Sequence, residues 1–205
     1  MMKPLVLCML VAVGATVSAA ESWFTCSISA ENTVVRHGEH PKVKVRIGNH
    51  LGRDVVLVGS LDGSSYGMRY PKCGFELMDS QGKPLKISPE SRCGNMNELR
   101  IEDFVTVPSG KEFNPYESGF FGSWQSQLLP QLPPGTYLIR FYYQTSRKGV
   151  QYYFGDEQML AEPKISPAIQ KLYEMVPGLD LKSNALKITI TAKSPPPSTP
   201  VVRAK

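Results

Sequence analysis

The chain is poor in the residues that carry most enzyme chemistry. It has four cysteines and three histidines among 205 residues, and no two cysteines form a C-x-x-C pair. A zinc ribbon or a thioredoxin-like centre needs that spacing, so both are excluded. No G-x-S-x-G presents a serine nucleophile, and no glycine-rich loop cradles phosphate. The one S-x-x-K match, Ser80-Gln81-Gly82-Lys83, runs into Pro84 in a turn context. It has no helix on which the lysine could approach the serine. Glu102 and Asp103 are read as neighbours on a strand, facing opposite ways, and Asp156 and Glu157 as solvated loop residues. These absences argue against an enzyme, and no cofactor is implied. The positive charges are scattered through a chain of net charge +5. Without a basic patch interleaved with aromatics, nucleic acid is not an expected partner.

A long apolar run is also missing after the first twenty residues, which excludes stable membrane insertion by a helix. Those twenty residues have a pattern of their own. Lys3 gives a short positive region, Leu5 to Val13 an apolar stretch, and Ser18-Ala19-Ala20 the small residues of a cleavage site. This is the pattern of a secretory signal peptide over 1–20, cut after Ala20. Cys8 lies within the apolar region and Cys26 follows Trp-Phe-Thr, so neither fits lipid attachment. The expected location is secreted or periplasmic, and composition does not separate the two.

Strand signals dominate residues 21–193. Phe24, Cys26 and Ile28 alternate, as do Val43, Val45 and Ile47 against Lys42, Lys44 and Arg46. DVVLVGSL is continuously apolar, which suits a central strand buried on both faces or a strand mouth. Phe75 and Leu77 precede Asp79-Ser80-Gln81-Gly82, and Leu85 and Ile87 follow it. A hairpin centred on Gln81 then pairs Leu77 with Leu85 and Phe75 with Ile87. LRIEDFVTVPSGKEF gives another strand and a turn, PPGTYLIRFYYQT a turn and the clearest strand, and ALKITITA the last strand, with Leu186, Ile188 and Ile190 on one face. About seven short strands separated by turns predict an antiparallel β-sandwich.

Two insertions interrupt it. Residues 114–132 are rich in aromatics and glycine. Residues 149–183 separate the last two strands and hold the one clear helix signal, SPAIQKLYEMVPG. There Ser166 is the N-cap, Pro167 the first helical residue, and Ile169, Leu172 and Val176 the buried stripe. Residues 194–205, SPPPSTPVVRAK, read as a disordered proline-rich tail.

Three groups of residues are candidate sites. Cys73 and Cys93 flank the hairpin, and Pro89 ends its pairing so that the chain can fold back. A disulfide closing that loop would stabilise the fold by about 3 kcal/mol. Cys26 pairing with one of them is the alternative. His37, Glu39 and His40 lie in one turn and could form a surface metal site. The third histidine, His50, is a full strand away and cannot join them. Tyr116, Phe120, Phe121 and Trp124 are aromatic anchors on a loop, fit for a binding patch. The alternative is that they close one end of the sandwich as core, and Tyr152, Tyr153 and Phe154 of the second insertion face the same choice.

Taken in order, KVKVRIGNHLGRDVVLV, FELMDSQGKPL, FVTVPSGKEF and PPGTYLIRFYY resemble the immunoglobulin-like sandwich of many secreted bacterial proteins. That group includes the intracellular proteinase inhibitor family and the β-domain beside some metallopeptidases. The resemblance covers roughly 40–145 and SNALKITI. It implies an immunoglobulin-like fold with Tyr137 as its corner tyrosine. The inhibitor family lacks the cysteine-flanked hairpin and the long second insertion, and no reactive loop maps onto this chain residue by residue. The expectation is a non-enzymatic module binding another secreted or envelope protein through its loops. A proteinase inhibitor is one alternative and a metal-binding protein through His37 and His40 another.

Overall fold

The computed structural model describes residues 23–39, 41–59, 70–86, 99–115, 132–146 and 166–192. These residues are mostly strand, with one short helix, so the protein is all-β. Among the described residues there are ten strand segments: β1 (Phe24–Ala30), β2 (Val34–Arg36), β3 (Val43–Asn49), β4 (Val55–Val58), β5 (Lys72–Asp79), β6 (Phe104–Val107), β7 (Glu112–Phe113), β8 (Gly135–Thr145), β9 (Leu179–Lys182) and β10 (Leu186–Thr191). The helix, α1, is Pro167–Met175. One sheet has the order β1-β3-β7 and a larger one β2-β10-β8-β5, with β9 also pairing to β8, while β4 and β6 form a separate pair.

Strand alternation places the main core as the sequence implies. Phe24 and Ile28 of β1, Val45 and Ile47 of β3, and Ile139, Phe141 and Tyr143 of β8 are buried between the two larger sheets. Each such side chain contributes about 1.5–3 kcal/mol relative to exposure. Phe75 lies opposite Phe141, and their rings are 5.4 Å apart and tilted. The apolar run of β4 is buried throughout. Val55 and Leu57 face the main core. Val56 and Val58 face a second cluster with Leu99, Tyr173 and Val176.

That second cluster lies under α1. Ser166 Oγ accepts the Ile169 N–H, and Pro167 begins the helix, as a Ser-Pro start requires. The buried stripe is wider than expected. Tyr173 and Val176 are buried, while Ile169 and Leu172 are only partly covered. Tyr173 sits four residues from Ile169 on the same face, a position that an aliphatic count overlooks.

Several expectations need correction. The last residues of the second insertion are not a connection: Leu179–Lys182 form β9, which pairs with the end of β8. The strands are not all antiparallel as expected, because β2 runs parallel to β10. After β1 the chain leaves the smaller sheet through a turn in which Asn32 Oδ1 accepts the Val34 N–H, and it lands on the edge of the larger one. Glu102 and Asp103 lie in a 3-10 turn, Ile101–Asp103, rather than on a strand. Asp103 Oδ2 accepts the Arg100 N–H at 2.7 Å, which holds that turn ahead of β6. The hairpin has the expected register, with Leu85 N–H bonded to the Leu77 carbonyl and Gly82 at φ +85°. Its second arm makes one bridge, Met78 to Pro84, and the full ladder of β5 is with β8. Ile87 and Pro89 lie outside the described residues.

Buried polar side chains join the pieces. Asn49 donates to the Arg53 and Val107 carbonyls, both at 2.9 Å, and accepts the Leu51 N–H. It thereby ties the end of β3 to the start of β4 and the end of β6. Tyr143 O–H donates to the Val58 carbonyl at 2.9 Å, joining β8 to β4. The Asn184 amide exchanges two bonds with the N–H and C=O of Ile28, so one side chain links the edge of β1 to the larger sheet.

Candidate functional site

Tyr116, Phe120, Phe121 and Trp124 lie outside the described residues, but both ends of their loop are inside. The loop leaves the smaller sheet after β7, where Phe113 packs on the core and Pro115 is buried. It returns at Leu132, also buried, just before β8 of the larger sheet. The return is fastened twice. His37 Nδ1 donates to the Leu132 carbonyl at 2.9 Å, and Tyr137 O–H donates to the Pro133 carbonyl at 2.8 Å. The described residues on either side of 116–131, Pro115 and Leu132, are therefore both held in place.

The same bonds bear on the metal candidates. The ring nitrogen of His37 that meets Leu132 is committed to that carbonyl. Glu39 Oε2 accepts the Arg36 N–H at 3.1 Å and so closes its own turn. His40 lies outside the described residues. Among the described residues no three His, Cys, Asp or Glu side chains gather closely enough to hold a metal ion. His50 stands beyond the far end of the uninterrupted β3, with Nε2 at 3.0 Å from Thr25 Oγ1.

Cys26 and Cys73 both point inward, on β1 and β5, and pack against the main core. Burial pushes the Cys26 thiol up to about 12. It stays protonated at neutral pH and is a poor nucleophile. Cys93 lies outside the described residues, and with it the expected bridge to Cys73. Ser80 to Lys83 form the hairpin turn, in which Asp79 Oδ1 accepts the Gln81 and Lys83 N–H groups, both at 2.9 Å. The serine and lysine of that motif thus shape a turn.

On the outward face of the larger sheet, Glu76 receives Lys182 at 2.7 Å and lies 3.9 Å from Arg140. Lys182, opposite Tyr142 in the β8–β9 register, reaches diagonally across β8 to do so. Burial, with lesser contributions from Cys73 and Glu76, raises the Tyr142 phenol above its ordinary value. These pairs are partly exposed and contribute little individually.

One surface escaped the sequence reading. Inward residues of WFTCSIS announced β1, but its outward set is Trp23, Thr25, Ser27 and Ser29, all exposed. Trp23 retains 49% of its surface. The three positive charges read on Lys42, Lys44 and Arg46 are also partly neutralised there. Lys44 pairs with Glu31 at 3.0 Å and Arg46 with Glu112 at 3.5 Å. The carboxylate partners are distant in sequence or beyond a turn, which is why a linear reading sees only the cations.

No family model, curated protein or solved structure matches this chain.

Proposed function

We propose that the protein is a secreted, non-enzymatic binding module with an immunoglobulin-like sandwich, contacting another secreted or envelope protein through the aromatic loop. The observation that carries this reading is the anchoring of the residues on either side of that segment. Pro115 and Leu132 are buried, and the His37 ring and Tyr137 hydroxyl hold the returning backbone. Fixed ends lower the entropy lost when a loop docks its aromatic side chains. Two features support the finer fold assignment. The orders β1-β3-β7 and β2-β10-β8-β5 suit such a sandwich, and the Tyr137 bond has the geometry of a tyrosine corner. The use of polar side chains supports a non-catalytic role. Asn49, Asp79, Asp103, Tyr143 and Asn184 are all engaged with backbone groups.

The test is capture of envelope and secreted proteins from the native host on the immobilised chain, repeated with Phe121→Ala and Trp124→Ala combined. A single stoichiometric partner that is lost in the double variant, with the urea midpoint kept, supports the reading. A protease as that partner narrows it to inhibition. Retained binding together with a large loss of stability makes the aromatics core and overturns it.

A further inference from the structure

The outward face of the smaller sheet has the makings of a second binding surface, independent of the aromatic loop. His50 N–H donates to the Trp23 carbonyl at 2.8 Å, which sets these two residues side by side at one end of the face. Next along the strands, Thr25 lies opposite Gly48. A Cβ at Gly48 would stand 2.5 Å from Thr25 Oγ1 and 3.0 Å from His50 Nε2. The absence of that Cβ lets the bonded Thr25 and His50 side chains lie across the strand. Beyond them β1 presents only the short hydroxyls of Ser27 and Ser29, opposite Arg46 and Lys44. The result is a low strip along β1, bordered by longer polar side chains and ended by an exposed indole.

We propose that this strip binds an uncharged polysaccharide chain, with Trp23 stacked on a sugar ring and Arg46 and Glu112 bonded to its hydroxyls. Charge favours this occupant. Two of the three cations on the face, Lys44 and Arg46, are matched by Glu31 and Glu112, and Lys42 lies past the Ser29 end, beyond the last paired residues Ala30 and Val43. A charged ligand lying between Trp23 and Ser29 would have to break an existing pair. The indole has a negative π-face that suits the slightly positive C–H face of a pyranose. Guanidinium and carboxylate groups are planar and directional, and together they supply donors and acceptors for hydroxyls. From Trp23 to Ser29 the strip runs about 20 Å, which suits an oligosaccharide better than a single ring.

The protein has two tryptophans, so Trp124→Phe leaves Trp23 as the sole reporter. This variant, secreted with its own leader, is titrated with soluble hexasaccharides of glucose and of N-acetylglucosamine while indole emission is followed. The expected result is a saturable change with at least one of them. Binding to the matching insoluble polysaccharide should be abolished by Trp23→Ala and weakened at least about fivefold by Arg46→Ala. Trp23 is half exposed, so its replacement should leave the urea midpoint in place. Three results would overturn the proposal: no saturation with any neutral glycan, binding that survives Trp23→Ala, or binding only to a sulfated glycan that disappears in high salt. Loss of the aromatic-loop partner would leave this result unaffected, because the two surfaces share no residue.

Discussion

The two faces of β4 border two different cores. Val55 and Leu57 enter the main core, which gathers side chains from β1, β3, β5, β8, β9 and β10 and is framed by hydrogen-bonded ladders. Val56 and Val58 enter the smaller cluster under α1, with Leu99 and the partly covered Tyr70 and Phe104. The first is held by backbone pairing between segments far apart in sequence. In the second, the helix is held to β4 by side-chain packing, and its own start by the Ser166 cap. The main core should therefore open only with the whole protein, and the helix cluster should open locally at lower cost.

The largest effect that probes this contrast is expected from Phe141→Ala. The ring is fully buried between the sheets, and its loss should cost about 4 kcal/mol. Urea unfolding should shift as one transition, and amide protection in β3 and β8 should fall together. Independent loss in one sheet would show that the main core is not one cooperative unit.

Asn49→Ala should cost about 3 kcal/mol, because it strips the partner from the Leu51 N–H and from the Arg53 and Val107 carbonyls. Asn49→Asp should be little better, since a carboxylate accepts but cannot donate to the two carbonyls. A nearly neutral Asn49→Asp would sink the account of Asn49 as the tie between β3, β4 and β6.

Val176→Ala should cost about 2 kcal/mol, and the cost should fall on the helix. Hydrogen exchange should speed up across 167–175 while β8 keeps its protection. Equal loss in β8 would merge the two cores into one.

The smallest effect is the titration of Cys26. Its folded thiol is raised from 9.0 to about 12, so the folded chain keeps a proton that the unfolded chain releases. That stabilisation is complete below about pH 9 and fades as pH rises toward 12. The urea midpoint should decline over this range, less steeply in Cys26→Ala. An identical decline in both would detach Cys26 from the pH dependence.

Patterns confined to a few neighbouring residues were legible. The uninterrupted DVVLVGSL run foretold a strand with two buried faces. Ser166-Pro167 foretold the helix start, and Asp79-Ser80-Gln81-Gly82 the hairpin turn centred on Gln81. Non-local pairing was harder to read. LDLK alternates as a strand should, yet at four residues after Pro-Gly it looked like the end of an insertion, and only β8 as a neighbour makes it β9. Val34–Arg36 is shorter still, and its parallel partner lies more than 150 residues away. Glu102 and Asp103 stand in a stretch whose pattern suggests a strand, but local backbone bonding by Asp103 favours a tight turn. The outward face of β1 is silent in the sequence because apolar alternation marks the residues a strand buries and not those it exposes. His37 and Tyr137 bond the Leu132 and Pro133 carbonyls, targets that spacing alone does not locate.

The Asn184 amide has a further consequence for encounters between molecules. An exposed strand edge is a template on which a second chain can add. At Ile28 that template is already filled, because the amide supplies the donor and acceptor that an arriving strand would offer. Asn184→Ala would leave the β1 edge with its N–H and C=O facing outward and nothing in their place. Self-association should then rise with protein concentration even where the monomer still folds. A side chain that closes the molecule on itself thus also occupies the strand edge at Ile28.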